Sequence, residues 1–169
     1  NAVFVIAGGF AESGEGSMEA MEKYVTTHFG DWKDGQLVPH ALIVDSQEKP
    51  QLLLTYKKSE QAHLCFGYRT FPESDDRKYA LSVFAAVLGA GMSSRLFTEV
   101  REKRGLCYAV RTMTDHYSDV GNMLTYAGVS TDVAKVTEAI KVIKEQHEDI
   151  ATKGISDEEL SRAKELMKG

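Results

Sequence analysis

Gly89–Val110 reads GAGMSSRLFTEVREKRGLCYAV, and its order of breakers and apolar positions sets the architecture around it. Gly89-Ala90-Gly91 ends one helix, since glycine gives the backbone freedom that a helix interior penalises. Ser93 or Ser94 then caps a second helix that runs to about Arg104 and stops at Gly105. Leu106–His116 follows as a strand. The segment therefore predicts two helices joined by a tight break, the second delivered through one glycine into a sheet.

Working upstream, Tyr79, Ala80, Val83, Phe84, Val87 and Leu88 recur at helical spacing, and Phe71–Asp76 turns the chain before them. Gln51–Tyr56 and Ala62–Tyr68 predict two strands across the polar Lys57–Gln61. Further back, Val3–Ala7 predicts a strand within the run that starts at Ala2, and Gly8-Gly9 ends it. A helix carrying Met18, Met21, Val25 and Phe29 comes next, capped by Ser17 and stopped by Gly30. Asp31–Pro50, with Gly35, Pro39 and Pro50, reads as an extended connector.

Downstream, Asn122–Val129 pairs with Leu106–His116 as a hairpin around Ser118–Gly121. Thr131 caps a long helix with the stripe Val133, Val136, Ile140, Ile143, His147 and Ile150, and Ser156-Asp-Glu-Glu159 forms a capping box for the last helix. Runs of strands and helices in this order predict an α+β fold, a mainly antiparallel sheet with helices packed on one face. With 169 residues the chain fits one domain, 1–169. Beginning at Asn1 and entering a strand directly, it is expected to start partway through a larger polypeptide.

Composition excludes several classes. The formal net charge is −5, with lysines and arginines dispersed among acids, so no basic stripe marks a nucleic-acid binder. No apolar run approaches the roughly 18 residues of a membrane span. Cys65 and Cys107 lack C-x-x-C spacing and read as ordinary buried thiols, which favours a reducing, cytoplasmic setting. His28, His40, His63, His116 and His147 are spread singly, and none has the partner one turn away that a helical zinc site requires. His63 reads as a structural hydrogen-bonding residue. The glycines of Gly89–Gly91 lack the lysine and the preceding strand of a nucleotide-binding loop, and Ser93 and Ser94 lack a nucleophile elbow.

Gly89–Val110, together with EQAHLCFGY at Glu60–Tyr68 and the terminal pattern of Glu159, Leu160, Ala163, Lys164 and Gly169, resembles in order the second-domain signature of the insulinase/pitrilysin-like zinc metallopeptidases, mitochondrial-processing-peptidase branch. That family's inverted H-x-x-E-H zinc helix does not occur in this sequence. The resemblance implies the metallopeptidase half-domain fold, most of the C-terminal, non-zinc domain of a half-enzyme, and no peptidase activity for this chain alone. It implies zinc in the parent enzyme, bound by another domain, and none held here. Implied partners are the N-terminal zinc-bearing domain of the same protein, a second half-enzyme as homo- or heterodimer, and a peptide substrate. A noncatalytic or core-type subunit that keeps the fold for assembly is the alternative.

On spacing alone, Arg101 and Tyr108 are a surface arginine in a charged helix and a half-buried strand tyrosine. The resemblance matches them to the family's R-x-x-x-x-x-x-Y, whose arginine and tyrosine contact substrate from the domain opposite the zinc. A planar fork of donors and one hydroxyl suit a peptide carbonyl and the oxyanion that develops from it. Glu99, Glu102, Lys103 and Arg104 around Arg101 read as a solvated helix face with paired charges.

Overall fold

A computed structural model describes residues 3–33, 35–36, 38–44 and 46–169. The chain divides into two compact units, Asn1–Ala41 and Leu42–Gly169. Ala2 of the expected first strand, and Asp34, Leu37 and Asp45 of the expected connector, lie outside the described residues.

The first unit is built on helix α1, Met18–Phe29. Ser17 caps it by accepting a hydrogen bond from the Ala20 amide at 3.2 Å, and the Gly30 amide closes it on the Thr26 carbonyl at 2.8 Å. Val3–Ala7 forms no ladder, which corrects the expected strand. Its Phe4 ring lies tilted instead 4.3 Å from Phe29 and 5.7 Å from Trp32, so the run contributes one ring to an aromatic cluster while Val3 and Val5 stay exposed.

The second unit holds a three-stranded antiparallel sheet of β1 (Gln61–Thr70), β2 (Cys107–His116) and β3 (Gly121–Ser130) in the order β1-β3-β2. The β2–β3 hairpin forms as expected, closed by the Tyr117 amide on the Val120 carbonyl at 2.8 Å. The expected strand at Gln51–Tyr56 does not form. Leu52, Leu53 and Leu54 are exposed, and β1 aligns with β3 from Gln61↔Ser130 to Thr70↔Gly121. An apolar run marks a segment able to form a strand, whereas its partner is decided by which strand completes a buried face.

That face is set by alternation along β3, where Met123, Thr125, Ala127 and Val129 are buried. Three helices lie with it: α2 (Arg77–Gly89), α3 (Val133–Lys153) and α4 (Asp157–Lys168). Leu88, Leu96, Val100 and Ile143 are fully buried in the shared core. Gly89 permits the closest approach of α2 to β2, because a Cβ there would overlap the Thr112 hydroxyl and lie 2.5 Å from the Thr112 amide nitrogen.

The caps of α3 and α4 follow side-chain chemistry. Asp132 caps α3, accepting from the Lys135 amide at 3.0 Å, one residue later than the Thr131 read from sequence. The capping box of α4 is complete: Ser156 Oγ accepts from the Glu159 amide at 3.2 Å, and Glu159 Oε2 accepts from the Ser156 amide at 2.9 Å. The α3 stripe is shifted. Ala139 and Val142 are buried with Ile143, His147 and Ile150, whereas Val133 is exposed. Cys65 is also exposed, correcting its reading as a buried thiol, while Cys107 is buried. Odd-numbered β1 residues face away from the helices, and Cys65 is one of them.

Candidate functional site

Between α2 and β2 the chain is helical from Arg95, and Phe97–Glu102 forms a π-helix rather than a plain α-helical turn. The Lys103 amide donates to the Thr98 carbonyl at 2.9 Å, five residues back. Ser94 stands at the start of this helix, its carbonyl accepting from the Thr98 amide at 3.0 Å. Its hydroxyl does not cap as expected. It donates to the Gly91 carbonyl at 2.8 Å and so locks the preceding turn. Gly105 ends the helix in the left-handed region at φ +58°, where a side chain would be strained, and its amide donates to the Arg101 carbonyl at 3.0 Å.

Leu96 and Val100, at 0% exposure, fasten this segment to the core and leave Arg101 exposed on the opposite side. The Arg101 guanidinium lies over the Phe97 ring, 4.8 Å from its centroid. Tyr108 sits where the β2–β3 register breaks: Cys107 aligns with Val129 and Ala109 with Gly128, so Tyr108 is the extra residue of a β-bulge. Without that bulge, strict alternation would turn Tyr108 toward the helices and Cys107 away from them. With it, Cys107 is buried and Tyr108 is 62% exposed. Burial pushes the Cys107 thiol up, and the neighbouring Arg101 charge draws it partly back. Arg101 and Tyr108 thus flank one turn, both open to solvent, and no hydrogen bond joins them among the described residues.

The charges around Arg101 pair with one another. Glu99 accepts from Lys103 Nζ and Arg104 Nη1, each at 2.6 Å, and both hold its carboxyl below the usual range. The Lys103 contact is the expected i,i+4 pair. The Arg104 contact spans five residues, the separation that the wider π turn brings together.

Two networks escaped the sequence reading. Arg95 is the first: Nε and Nη2 grip Glu159 at 2.6 and 2.8 Å, Nη1 reaches Asp149 at 3.1 Å and Nη2 the Gly154 carbonyl at 3.1 Å. It therefore ties the start of the helix that carries Arg101 to both α3 and α4. The Arg95 guanidinium is the main reason the Glu159 carboxyl is held down at about 2. The second is buried: Thr112 Oγ1 lies 2.9 Å from Thr125 Oγ1, which lies 3.1 Å from His147 Nε2, while His147 Nδ1 lies 2.8 Å from the Ile143 carbonyl. A carbonyl only accepts, so Nδ1 carries the proton, Thr125 donates to Nε2, and Thr112 donates to Thr125. Burial pushes the His147 imidazole below its ordinary value. His63 takes the structural role read for it, its Nδ1 lying 2.9 Å from the Tyr126 hydroxyl.

Zinc requires three or four convergent nitrogen, oxygen or sulfur donors. Among the described residues no group of three His, Cys, Asp or Glu side chains has that arrangement. Among the described residues His147 is committed on both nitrogens. Among the described residues no helix is long and apolar enough to cross a membrane.

The second unit is thus an antiparallel sheet backed by helices, with an arginine and a tyrosine flanking one turn. Residues 1–167 match the peptidase M16 inactive domain, and the chain belongs to that family, the non-catalytic domain of the insulinase-like metallopeptidases. An uncharacterized zinc protease of Streptomyces coelicolor is 39% identical over 113 residues, covering 67% of this chain and 24% of that protein. One from Bacillus subtilis is 39% identical over 126 residues, covering 72% and 30%. This chain thus spans under a third of the length of these relatives. The crystal structure of a peptidase M16 inactive domain from Pseudomonas fluorescens superposes with a TM-score of 0.61 at 27% identity, over 66% of this chain and 27% of that one. A protease from Helicobacter pylori shares the fold, with a TM-score of 0.65 at 19% identity over 90% of this chain and 38% of that one.

Proposed function

We propose that this chain is the second, non-zinc domain of a zinc-dependent metalloendopeptidase and that it helps enclose and position a peptide for cleavage. Zinc belongs to another domain of the parent. Here Arg101 and Tyr108 hold the carbonyl of the scissile bond and stabilise the oxyanion as it forms. The observation that carries this reading is that both side chains are exposed on the two sides of the Gly105 turn and, among the described residues, neither is drawn into an ion pair, although Arg101 has acids on both sides of it in sequence. Donors fixed before the reaction and left without an internal partner are what oxyanion stabilisation requires.

The test is made in the full-length protein with a quenched-fluorescent peptide library. Arg101→Ala is expected to lower kcat by roughly 10²–10³-fold, the loss typical of one oxyanion donor, with a smaller change in KM. Tyr108→Phe is expected to act in the same direction. Unchanged turnover in both variants would remove the assigned roles. A parent that cuts none of the library would favour the partner-subunit alternative.

A further inference from the structure

We propose that Phe97 is a positioning residue for Arg101: its ring seats the flat face of the guanidinium and leaves the edge donors aimed outward for a substrate carbonyl. This rests on the role given to Arg101 above. A guanidinium carries all five N–H donors around its edge and none on its face, so an aromatic ring restrains it without using a donor. An ion pair would also restrain it but would occupy the fork. The segment provides the first arrangement, and among the described residues no ion pair takes up the Arg101 fork. Phe97 is half-buried and carries Arg101 4.8 Å from its ring centroid, on a backbone fastened by the fully buried Leu96 and Val100. Glu99, the nearest acid before Arg101 in sequence, is occupied by Lys103 and Arg104 at 2.6 Å each.

Both features depend on the same short helix. The wide turn lets Glu99 reach Arg104 five residues on while Phe97 still lies under Arg101 four residues on. A long, flexible side chain otherwise loses rotamer freedom when it binds, and the ring removes part of that freedom beforehand.

The test is a double-mutant cycle in the full-length protein, read as kcat/KM on the peptide cleaved best from the library. Phe97→Leu is expected to lower kcat/KM by about 2- to 5-fold, mainly in kcat, the range of an exposed cation–π contact. Phe97→Tyr, which keeps the ring, should restore it. In an Arg101→Ala background Phe97→Leu should cost nothing further. Equal losses in both backgrounds would overturn the inference, as would a tyrosine variant no better than leucine. Replacing Phe97 with mono-, di- and trifluorophenylalanine keeps the shape while weakening the ring quadrupole, and so covers the case in which leucine disturbs folding. A stepwise decline supports the contact, and a flat series refutes it. If Arg101→Ala alone changes nothing, the carbonyl-binding reading fails and takes this one with it. If Arg101→Ala is severe and the phenylalanine series is flat, only the positioning role is lost.

Discussion

Replacing Arg95 by alanine removes a side chain that joins the helix after Gly91 to both α3 and α4. The side-chain exposures of Arg95, Glu159 and Asp149 are 17%, 19% and 34%, so the network is neither a surface pair nor a fully buried one. Exposed pairs contribute at most about 1 kcal/mol, and breaking a buried pair costs about 3–5 kcal/mol. Neither acid is left without a partner, since Lys153 still pairs with Asp149 and the Ser156 amide still reaches Glu159. The expected loss is therefore about 2–3 kcal/mol, or about 4–12 °C in Tm for a chain of this size. Lysine cannot reproduce the two-pronged grip on Glu159, so Arg95→Lys should recover less than half of the loss.

The pH dependence follows from Glu159. Its folded value, about 2, is depressed from 4.5, so the unfolded chain binds more protons at intermediate pH. The stabilisation is fully present above about 4.5 and is lost as pH falls through about 2. Urea unfolding of wild type and Arg95→Ala should show a gap that is constant from neutral pH to about 5 and narrows below it. A gap under about 0.5 kcal/mol at pH 7, or one that stays constant down to pH 2.5, would refute the reasoning.

His147 is buried neutral, with its folded value lowered from 6.5, so its contribution to stability is present above 6.5 and is lost as pH falls below it. NMR titration of the imidazole should give a midpoint under 6.5; a midpoint at or above it would contradict the Thr112–Thr125–His147 donor chain. Gly89→Ala should destabilise by about 1–3 kcal/mol, although alanine is the better helix former, because the backbone of Thr112 leaves no room for a Cβ. An unchanged or raised melting temperature would show that α2 and β2 do not approach so closely.

Caps and hairpins were legible in the sequence because they are local. Ser17, Gly30, the Ser156–Glu159 box and the turn before Gly121 each act within a few residues, where side-chain chemistry decides the conformation. The α3 cap was displaced by one residue because Thr131 and Asp132 both offer an oxygen, and Asp132 is the one that meets the Lys135 amide. Strand pairing was less legible. Val3–Ala7 and Gln51–Tyr56 are apolar enough for strands, yet the first contributes one ring to an aromatic cluster and the second forms no ladder. The face of β3 that must be buried determines which strands join it, and that depends on residues distant in sequence. Arg101 and Tyr108 were named through resemblance. The exposure of Arg101 follows from its charged surroundings, whereas that of Tyr108 could not be read from spacing, because the bulge breaks the strand alternation on which such a reading rests.

Those two irregularities have a common consequence. A regular α-helix would place Glu99 within reach of Lys103 but not of Arg104, leaving Arg104 to compete for the acids around Arg101. A regular strand would turn Tyr108 toward the helices. One widened turn and one extra strand residue, separated by Gly105 at φ +58°, thus keep two polar side chains outward from a segment otherwise pinned by Leu96, Val100, Leu106 and Cys107. Such irregularities are stable only where the surroundings over-determine them. The Arg95 network and the buried apolar residues supply that constraint at both ends, so loosening Arg95 should disturb the setting of Arg101 before it unfolds the domain.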